Sequence, residues 1–348
     1  MNPVAAASPG VSVFLAVRNE AADLAQAVEQ VFKQAYRGPL EVILAVGPSD
    51  DDTWAVAEEL ARRHPALTVV ENPSGRTPEG LNRAWRAAKH GYLVRVDGHS
   101  LLPPGYIGRA VELLDQTGAA NVGGMMVPEG TAPFQKAVAR AMTTPFGIGA
   151  EAFHTGGRAG PAKSVYLGNF RRADLEAVGG FNESFVRAQD WELNHRLMGA
   201  GKLVWFDPSL GVIYRPRRSW RALKRQFYET GRWRWRVIKT YPQTASARYL
   251  APPAATLAVG LGLAGGLMGL VARRGRLAAA LAAPALYAAG VTAAAGLSSK
   301  GLDPKARAWL PVVIATMHMT WGAGFWAGVA QSWRGQGRRP RAEPSGGR

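Results

Sequence analysis

The chain has 348 residues, 47% of them hydrophobic, with Lys+Arg 42 against Asp+Glu 25 for a net charge of +17, and no cysteine. The apolar content excludes wholesale disorder, and the absence of thiols excludes disulfides, thiolate metal sites and a cysteine nucleophile. The surplus of positive charge asks for a phosphate-bearing partner, whether nucleotide, lipid headgroup or nucleic acid. At roughly 150 residues per domain, the length suggests about two units.

Val11–Val17 is a short apolar run with β-branched residues and reads as a buried strand. Its seven residues are too few for the apolar core of a signal peptide, and none is expected. From Asn19 to Ala35 the apolar residues fall at helical spacing; Glu41–Val46 is a second strand ending in Gly47-Pro48-Ser49-Asp50. A helix over Thr53–Arg63, a strand over Leu67–Val70, a helix over Leu81–Ala88 and a strand over Tyr92–Val96 follow. This alternation predicts an α/β domain with parallel strands and right-handed crossovers. Such sheets bind ligands at the carboxyl ends of their strands. Arg18-Asn19-Glu20, Asp50-Asp51-Asp52, Arg76 and Asp97/His99 all fall there. No Gly-x-Gly-x-x-Gly follows the first strand and no phosphate-loop motif occurs, which argues against a dinucleotide dehydrogenase and a P-loop ATPase. No internal repeat is present.

Two short motifs carry chemistry. Val96-Asp97-Gly98-His99 ends a strand in a turn, where a carboxylate and an imidazole can converge on Mg²⁺ or Mn²⁺ and leave coordination positions for diphosphate oxygens. A solvated Asp-Gly turn is the alternative. About ninety residues on, Gln189-Asp190-Trp191-Glu192 opens a helical stretch. Acids in a first turn complement the helix dipole; Asp190 can equally be a carboxylate base that takes a proton from an attacking hydroxyl.

Between Arg215 and Arg248 the chain carries eleven Lys/Arg interleaved with Trp220, Phe227, Tyr228, Trp233, Trp235 and Tyr241. This composition suits a helix lying on an anionic cytoplasmic leaflet. Charge-free runs of 22 residues follow at Ala251–Ala272 and Leu277–Ser298, and Ala308–Trp333 holds His318 as its one ionisable side chain over 26 residues. A span needs about 20 apolar residues, so about three membrane helices are expected at 251–272, 277–298 and 308–333. A buried helical hairpin in a soluble protein, or a re-entrant pair, are the alternatives. The positive-inside rule places the large domain on the cytoplasmic side of a cell membrane, as a multi-pass protein. The expected organisation is a domain over 1–214, an interfacial segment over 215–250, membrane helices over 251–333 and a basic, disordered tail over 334–348. Because the basic residues cluster beside the membrane runs, no nucleic acid is expected as a partner.

The domain resembles family 2 glycosyltransferases of the glycosyltransferase A fold, a Rossmann-like nucleotide-diphospho-sugar transferase fold. It is similar in particular to membrane-attached bacterial enzymes of exopolysaccharide assembly, of the succinoglycan type. The resemblance covers about residues 10–240. It rests on Val11–Glu20, Glu41–Thr53, Asn72–Asn82, Val96–His99, Gly179–Glu183 and Gln189–Glu192 in the family's order. It implies that Arg18, Asn19, Glu20 and Asp51 hold the nucleoside of a nucleotide-sugar donor, a UDP-sugar first among several nucleotides. It further implies that Arg76 and Asn82 line the donor side, that Asp97 and His99 bind a divalent metal (Mn²⁺ or Mg²⁺), and that Asp190 is the base of an inverting transfer. Glu192, Arg232 and Trp233 are assigned to the acceptor or diphosphate. The last two lie in Glu229-Thr-Gly-Arg-Trp233, where processive relatives carry Gln-x-x-Arg-Trp; membership of the interfacial helix alone explains them equally.

Three departures stand out: Val46-Gly47 replaces an Asp-Asp, His99 the second acid of Asp-x-Asp, and Gln189 the acid before Asp190. The implied activity is transfer to a hydroxyl of a lipid-linked or glycan acceptor in cell-surface polysaccharide or glycolipid synthesis. The alternatives are a polyprenyl-phosphate sugar transferase and a catalytically degenerate, membrane-anchored nucleotide-binding scaffold.

Overall fold

The computed structural model describes residues 8–149 and 151–336. In chain order, β1 (Val11–Val17), α1 (Leu24–Phe32), β2 (Leu40–Val46), α2 (Thr53–Arg63), β3 (Leu67–Glu71), α3 (Thr77–Ala87) and β4 (Tyr92–Arg95) alternate strictly. There follow α4 (Tyr106–Thr117), β5 (Asn121–Gly124), β6 (Met126–Pro128), α5 (Pro133–Met142), α6 (Ala152–Thr155), β7 (Gly160–Pro161) and β8 (Tyr166–Arg171). After α7 (Arg172–Ala177), α8 (Gln189–Gly199), β9 (Val204–Phe206) and β10 (Val212–Tyr214), the chain is helical: α9 (Trp220–Thr240), α10 (Ala247–Val271), α11 (Gly275–Ala278), α12 (Ala282–Ser298) and α13 (Pro304–Gln336). Two compact units result, one within Met1–Glu129, Met142–Pro145 and Ala150–Pro216, the other within Gly130–Ala141, Phe146–Gly149 and Arg217–Arg348. The expected tail over 334–348 lies, from residue 337 on, outside the described residues.

The first unit is built on an eight-stranded sheet of order β3-β2-β1-β4-β8-β5-β9-β7. β1 to β4 run parallel, and β8 enters antiparallel between β4 and β5. The period of two along β1 sorts its side chains. Val11, Val13, Leu15 and Val17 enter one apolar core with Leu24, Leu60, Ile107 and Leu114; Phe14 enters the opposite one with Leu81, Trp85, Leu193 and Leu197. Helices therefore cover both faces, and the carboxyl ends of β1 to β4 share one edge. β6 and β10 pair in parallel as a second, two-stranded sheet.

Two helix starts differ from expectation. α1 begins at Leu24 rather than Asn19, because the amides of residues 19 to 21 bond instead to the turn after β2. α3 begins at Thr77 rather than Leu81, with Pro78 in its first turn, where a missing N–H costs nothing.

In the second unit, α9 and α13 lie against one another at backbone distance. A Cβ on Gly231 would stand 1.9 Å from the Trp321 carbonyl oxygen, and one on Gly324 would stand 1.9 Å from that of Tyr228. Glycine at both positions lets the helices close up, and indoles lock the seam: Trp220 Nε1 donates to Thr316 Oγ1 and Trp235 Nε1 to Ser332 Oγ, both at 2.8 Å. α10 and the stretch Gly275–Ser298 are long and apolar enough to cross a membrane, and they expose Leu261, Leu267, Met268, Leu270, Val271, Leu286 and Leu297. Among the described residues these are the two helices that qualify, against three expected. The third run lies in α13, whose buried Leu310, Val313, Ile314, Met317, Trp321 and Phe325 recur at helical spacing. His318 bridges two neighbours, with Nδ1 3.2 Å from the Tyr287 hydroxyl and Nε2 2.7 Å from the Phe146 carbonyl.

Candidate active site at the carboxyl edge of the sheet

The loops after β1 and β2 are tied together by hydrogen bonds, and the loop after β3 packs against them at Gly75. Asn19 adopts φ 55, a left-handed conformation that asparagine tolerates. Its Oδ1 accepts from the Asp50 amide at 2.8 Å, and its Nδ2 donates to Asp50 Oδ2 at 3.3 Å. The Glu20 amide donates to Thr53 Oγ1 at 2.8 Å, and that of Ala21 donates to Asp51 Oδ2 at 3.1 Å. Asp51 also accepts from the Thr53 hydroxyl, the main cause of its lowered pKa, and from the Thr53 amide. It is thus a brace between two loops, where a nucleoside contact was expected. Gly47, where the resemblance implies an acid, packs closely: a Cβ at this position would stand 2.9 Å from Gly75 Cα. Gly75, at φ +62, in turn packs beside Arg18 and Pro48. Arg18 therefore stands where the three loops meet. Arg76, at the head of α3, is ion-paired with Glu79.

The end of β4 holds a residue that motif reading passed over. Arg95 is 4% exposed, and its guanidinium bridges two carboxylates, donating from Nη2 to Asp97 Oδ1 at 2.9 Å and from Nη1 to Asp190 Oδ1. Burial opposes its charge, but Asp190 and then Asp97 outweigh burial and raise its pKa. Asp190 lies at the start of α8, just after Ala188 in the left-handed region at φ 60. Its pKa is raised by burial first; Asp97 adds to this, and Arg95 acts against it. One guanidinium thus gathers the expected metal carboxylate and the expected base. A charge in the otherwise apolar run Tyr92-Leu-Val-Arg-Val96 was the available signal.

His99 Nδ1 lies 2.9 Å from Glu20 Oε1, so the ends of β1 and β4 are linked as well. Gly98 permits this approach, since a Cβ there would stand 2.8 Å from Val17 Cγ1 and 3.3 Å from Glu20 Cγ. A carboxylate on one imidazole nitrogen is the arrangement in which the other ligates a metal. With Asp97, the donor set of one carboxylate and one imidazole fits a divalent ion. No cluster of three or more potential metal ligands occurs among the described residues.

Two expected site residues face inward instead. Asn82 is 1% exposed; its Nδ2 donates to the Phe181 carbonyl at 2.8 Å and Glu183 Oε1 at 2.9 Å, while its Oδ1 accepts from the Trp85 indole and the Phe181 amide, both at 2.9 Å. It clamps α3 to the loop before α8, where a place on the donor side was expected. Asn82→Ala should cost about 1–3 kcal/mol of stability by stranding buried donors. In chemical denaturation combined with steady-state kinetics, donor KM should stay within twofold; a large rise in KM with unchanged stability would restore the donor role. Glu192 is fully buried and accepts from Arg196 Nε and Nη2, both at 2.8 Å. Arg196 also donates to the Gly180 carbonyl at 2.7 Å, so Glu192 fixes the loop that presents Asp190, where a contact with acceptor or diphosphate was expected. Arg232 and Trp233 belong to the second unit, on α9, where Arg232 pairs with Glu229 at 2.7 Å.

Residues 12–179 match the family model described as "Glycosyl transferase family 2". A relative 31% identical over 310 residues, 88% of this chain and 91% of its own length, is the "Succinoglycan biosynthesis protein ExoA" of Rhizobium meliloti (strain 1021). The fold is similar to that of the mannosyltransferase PcManGT from Pyrobaculum calidifontis, solved in complex with GDP-Man and Mn²⁺. That match has a TM-score of 0.58 and 22% identity, covering 93% of this chain and 88% of the other.

Proposed function

The chain belongs to glycosyl transferase family 2, and from this premise we propose that it moves a sugar, with inversion, from a nucleotide-sugar donor to a hydroxyl of a lipid-linked acceptor. The setting is cell-surface polysaccharide synthesis at the cytoplasmic face of a membrane. The observation that carries the reading is the Arg95 bridge, which sets the Asp97 and Asp190 carboxylates on one cation at the edge where such sheets bind ligands.

Arg18, with the loops that Asn19, Glu20 and Asp51 hold in place, offers the nucleoside a pre-formed rim, and Arg76 adds a guanidinium at the head of α3. Asp97 and His99 would hold a divalent metal, which when bound offsets the negative charge of a departing nucleoside diphosphate. Glu20 orients the His99 ring. Asp190, as carboxylate, accepts the proton of the acceptor hydroxyl at its oxygen while that oxygen attacks the anomeric carbon. One displacement with one base needs no covalent enzyme intermediate, and so it inverts configuration. Support for the donor class comes from the relative's role in succinoglycan biosynthesis and from the similar fold solved with GDP-Man and Mn²⁺. Support for a membrane setting comes from two apolar helices with outward-facing leucines.

Following the anomeric proton of the first-formed product by NMR tests the stereochemistry. An α-linked donor should give a β-linked product. A retained α linkage would overturn the single-displacement role of Asp190.

A further inference from the structure

A groove of about 610 Å³ opens between the C-terminal halves of α9 and α13, a size within the range of about 300–1,000 Å³ in which proteins hold small ligands. Arg232, Arg236 and Lys239 line it at positions i, i+4 and i+7, which share one helix face. No Asp or Glu is among its lining residues. Opposite the cations, α13 contributes Gln331 and Ser332, two neutral side chains that can hydrogen-bond. The Arg236 guanidinium lies 4.9 Å from the centre of the Trp233 ring, so one cation is stacked on a flat apolar wall.

Position decides what this groove meets. Thr240, its last α9 residue, precedes the first residue of α10, Ala247, by seven positions, and α10 is one of the two helices long and apolar enough to span a bilayer. In a membrane-seated protein, the groove then stands at headgroup depth. A bulk anionic leaflet requires only a basic surface. A concavity with three cations on one wall, of which Arg232 is already paired with Glu229 at 2.7 Å, and amide and hydroxyl groups on the other suits a single multiply charged headgroup.

We propose that this groove binds the phosphate or diphosphate headgroup of the lipid-linked acceptor. The choice of that lipid rests on the transferase reading above; the anionic character of the site does not. The cations neutralise the headgroup, Gln331 and Ser332 supply directional bonds to its oxygens, and the Trp233 face packs the first apolar or sugar group beyond it.

The test uses the full chain in neutral detergent, with farnesyl diphosphate as probe and thermal shift as readout. The variant is the double substitution Arg236→Glu with Lys239→Glu, both exposed residues outside the transfer chemistry. Farnesyl diphosphate should stabilise the parent protein and bind the variant at least tenfold more weakly, while stabilisation by nucleoside diphosphate with Mn²⁺ is equal in both. Equal binding of farnesyl diphosphate to the two proteins would overturn the proposal. So would inorganic pyrophosphate matching farnesyl diphosphate in affinity, which indicates a free-phosphate site. Phosphatidylglycerol matching it would likewise do so, since that indicates general leaflet contact. If nucleotides stabilise neither protein but farnesyl diphosphate still discriminates between them, the transferase reading falls and the groove stands.

Discussion

Asp190→Asn should lower kcat by about 10²–10⁴-fold, the usual range for loss of a general base, while donor binding is kept. The amide keeps the shape of the carboxylate but cannot take the acceptor proton. Arg95 loses one of two carboxylates and retains Asp97 at 2.9 Å, so the site should stay assembled. Steady-state kinetics with a separate donor-binding titration separates the effects. Unchanged turnover would remove Asp190 from the chemistry and favour a nucleophile that is already anionic, as in direct transfer to polyprenyl phosphate.

The acid limb of the parent's rate profile should report the same group. Asp190 acts as the carboxylate, its pKa is raised by partial burial, and activity is lost as pH falls through that raised value. The limb should therefore lie above the ordinary aspartate pKa of about 3.9.

Arg95→Met should act on stability and rate together. It leaves two carboxylates facing each other without their cation, a change that costs about 3–5 kcal/mol when the pair is fully enclosed. Asp97 and Asp190 are 26% and 38% exposed, so solvent screening reduces the expected cost to about 1–3 kcal/mol. Since Arg95 is the cation that holds the Asp190 pKa down, its removal should push the acid limb further toward neutrality. Arg95→Lys is the informative control: it restores charge but lacks the planar fork that reaches two carboxylates at once. Recovered stability with kcat still depressed would mark Arg95 as a positioning residue. Full recovery of kcat by lysine would show that charge alone suffices, and a Met variant with the parent's pH profile would show that the bridge is structural only.

The first four strands and three helices could be read from the chain because each apolar run is long enough to show its period. Four of the strands after β4 could not: β6, β7, β9 and β10 have two or three residues each, too few for any alternation to register. Motif order says which residues come to the carboxyl ends of the strands but not the direction each side chain faces. Asn82 and Glu192 sit at family positions and turn inward. For Glu192 a signal existed, since Arg196 four residues on is the spacing of a helical ion pair. Asn82 gave none, because its partners at Phe181 and Glu183 are about a hundred residues away. The apolar run at 308–333 pointed to a helix, but the helix runs longer, over Pro304–Gln336, and its burial against other helices depends on glycines in two separate segments, Gly231 and Gly324.

The central claim, a donor and metal site at the carboxyl edge of β1 to β4, is tested most directly by thermal shift of the purified full chain. The titrants are UDP, GDP, CDP and dTDP, each with and without Mn²⁺. One nucleotide should raise the midpoint in a Mn²⁺-dependent way, in proportion to the logarithm of its excess over the dissociation constant. Asp97→Ala should abolish that response. No response to any of the four, or one that is the same without Mn²⁺ and in Asp97→Ala, would contradict the account.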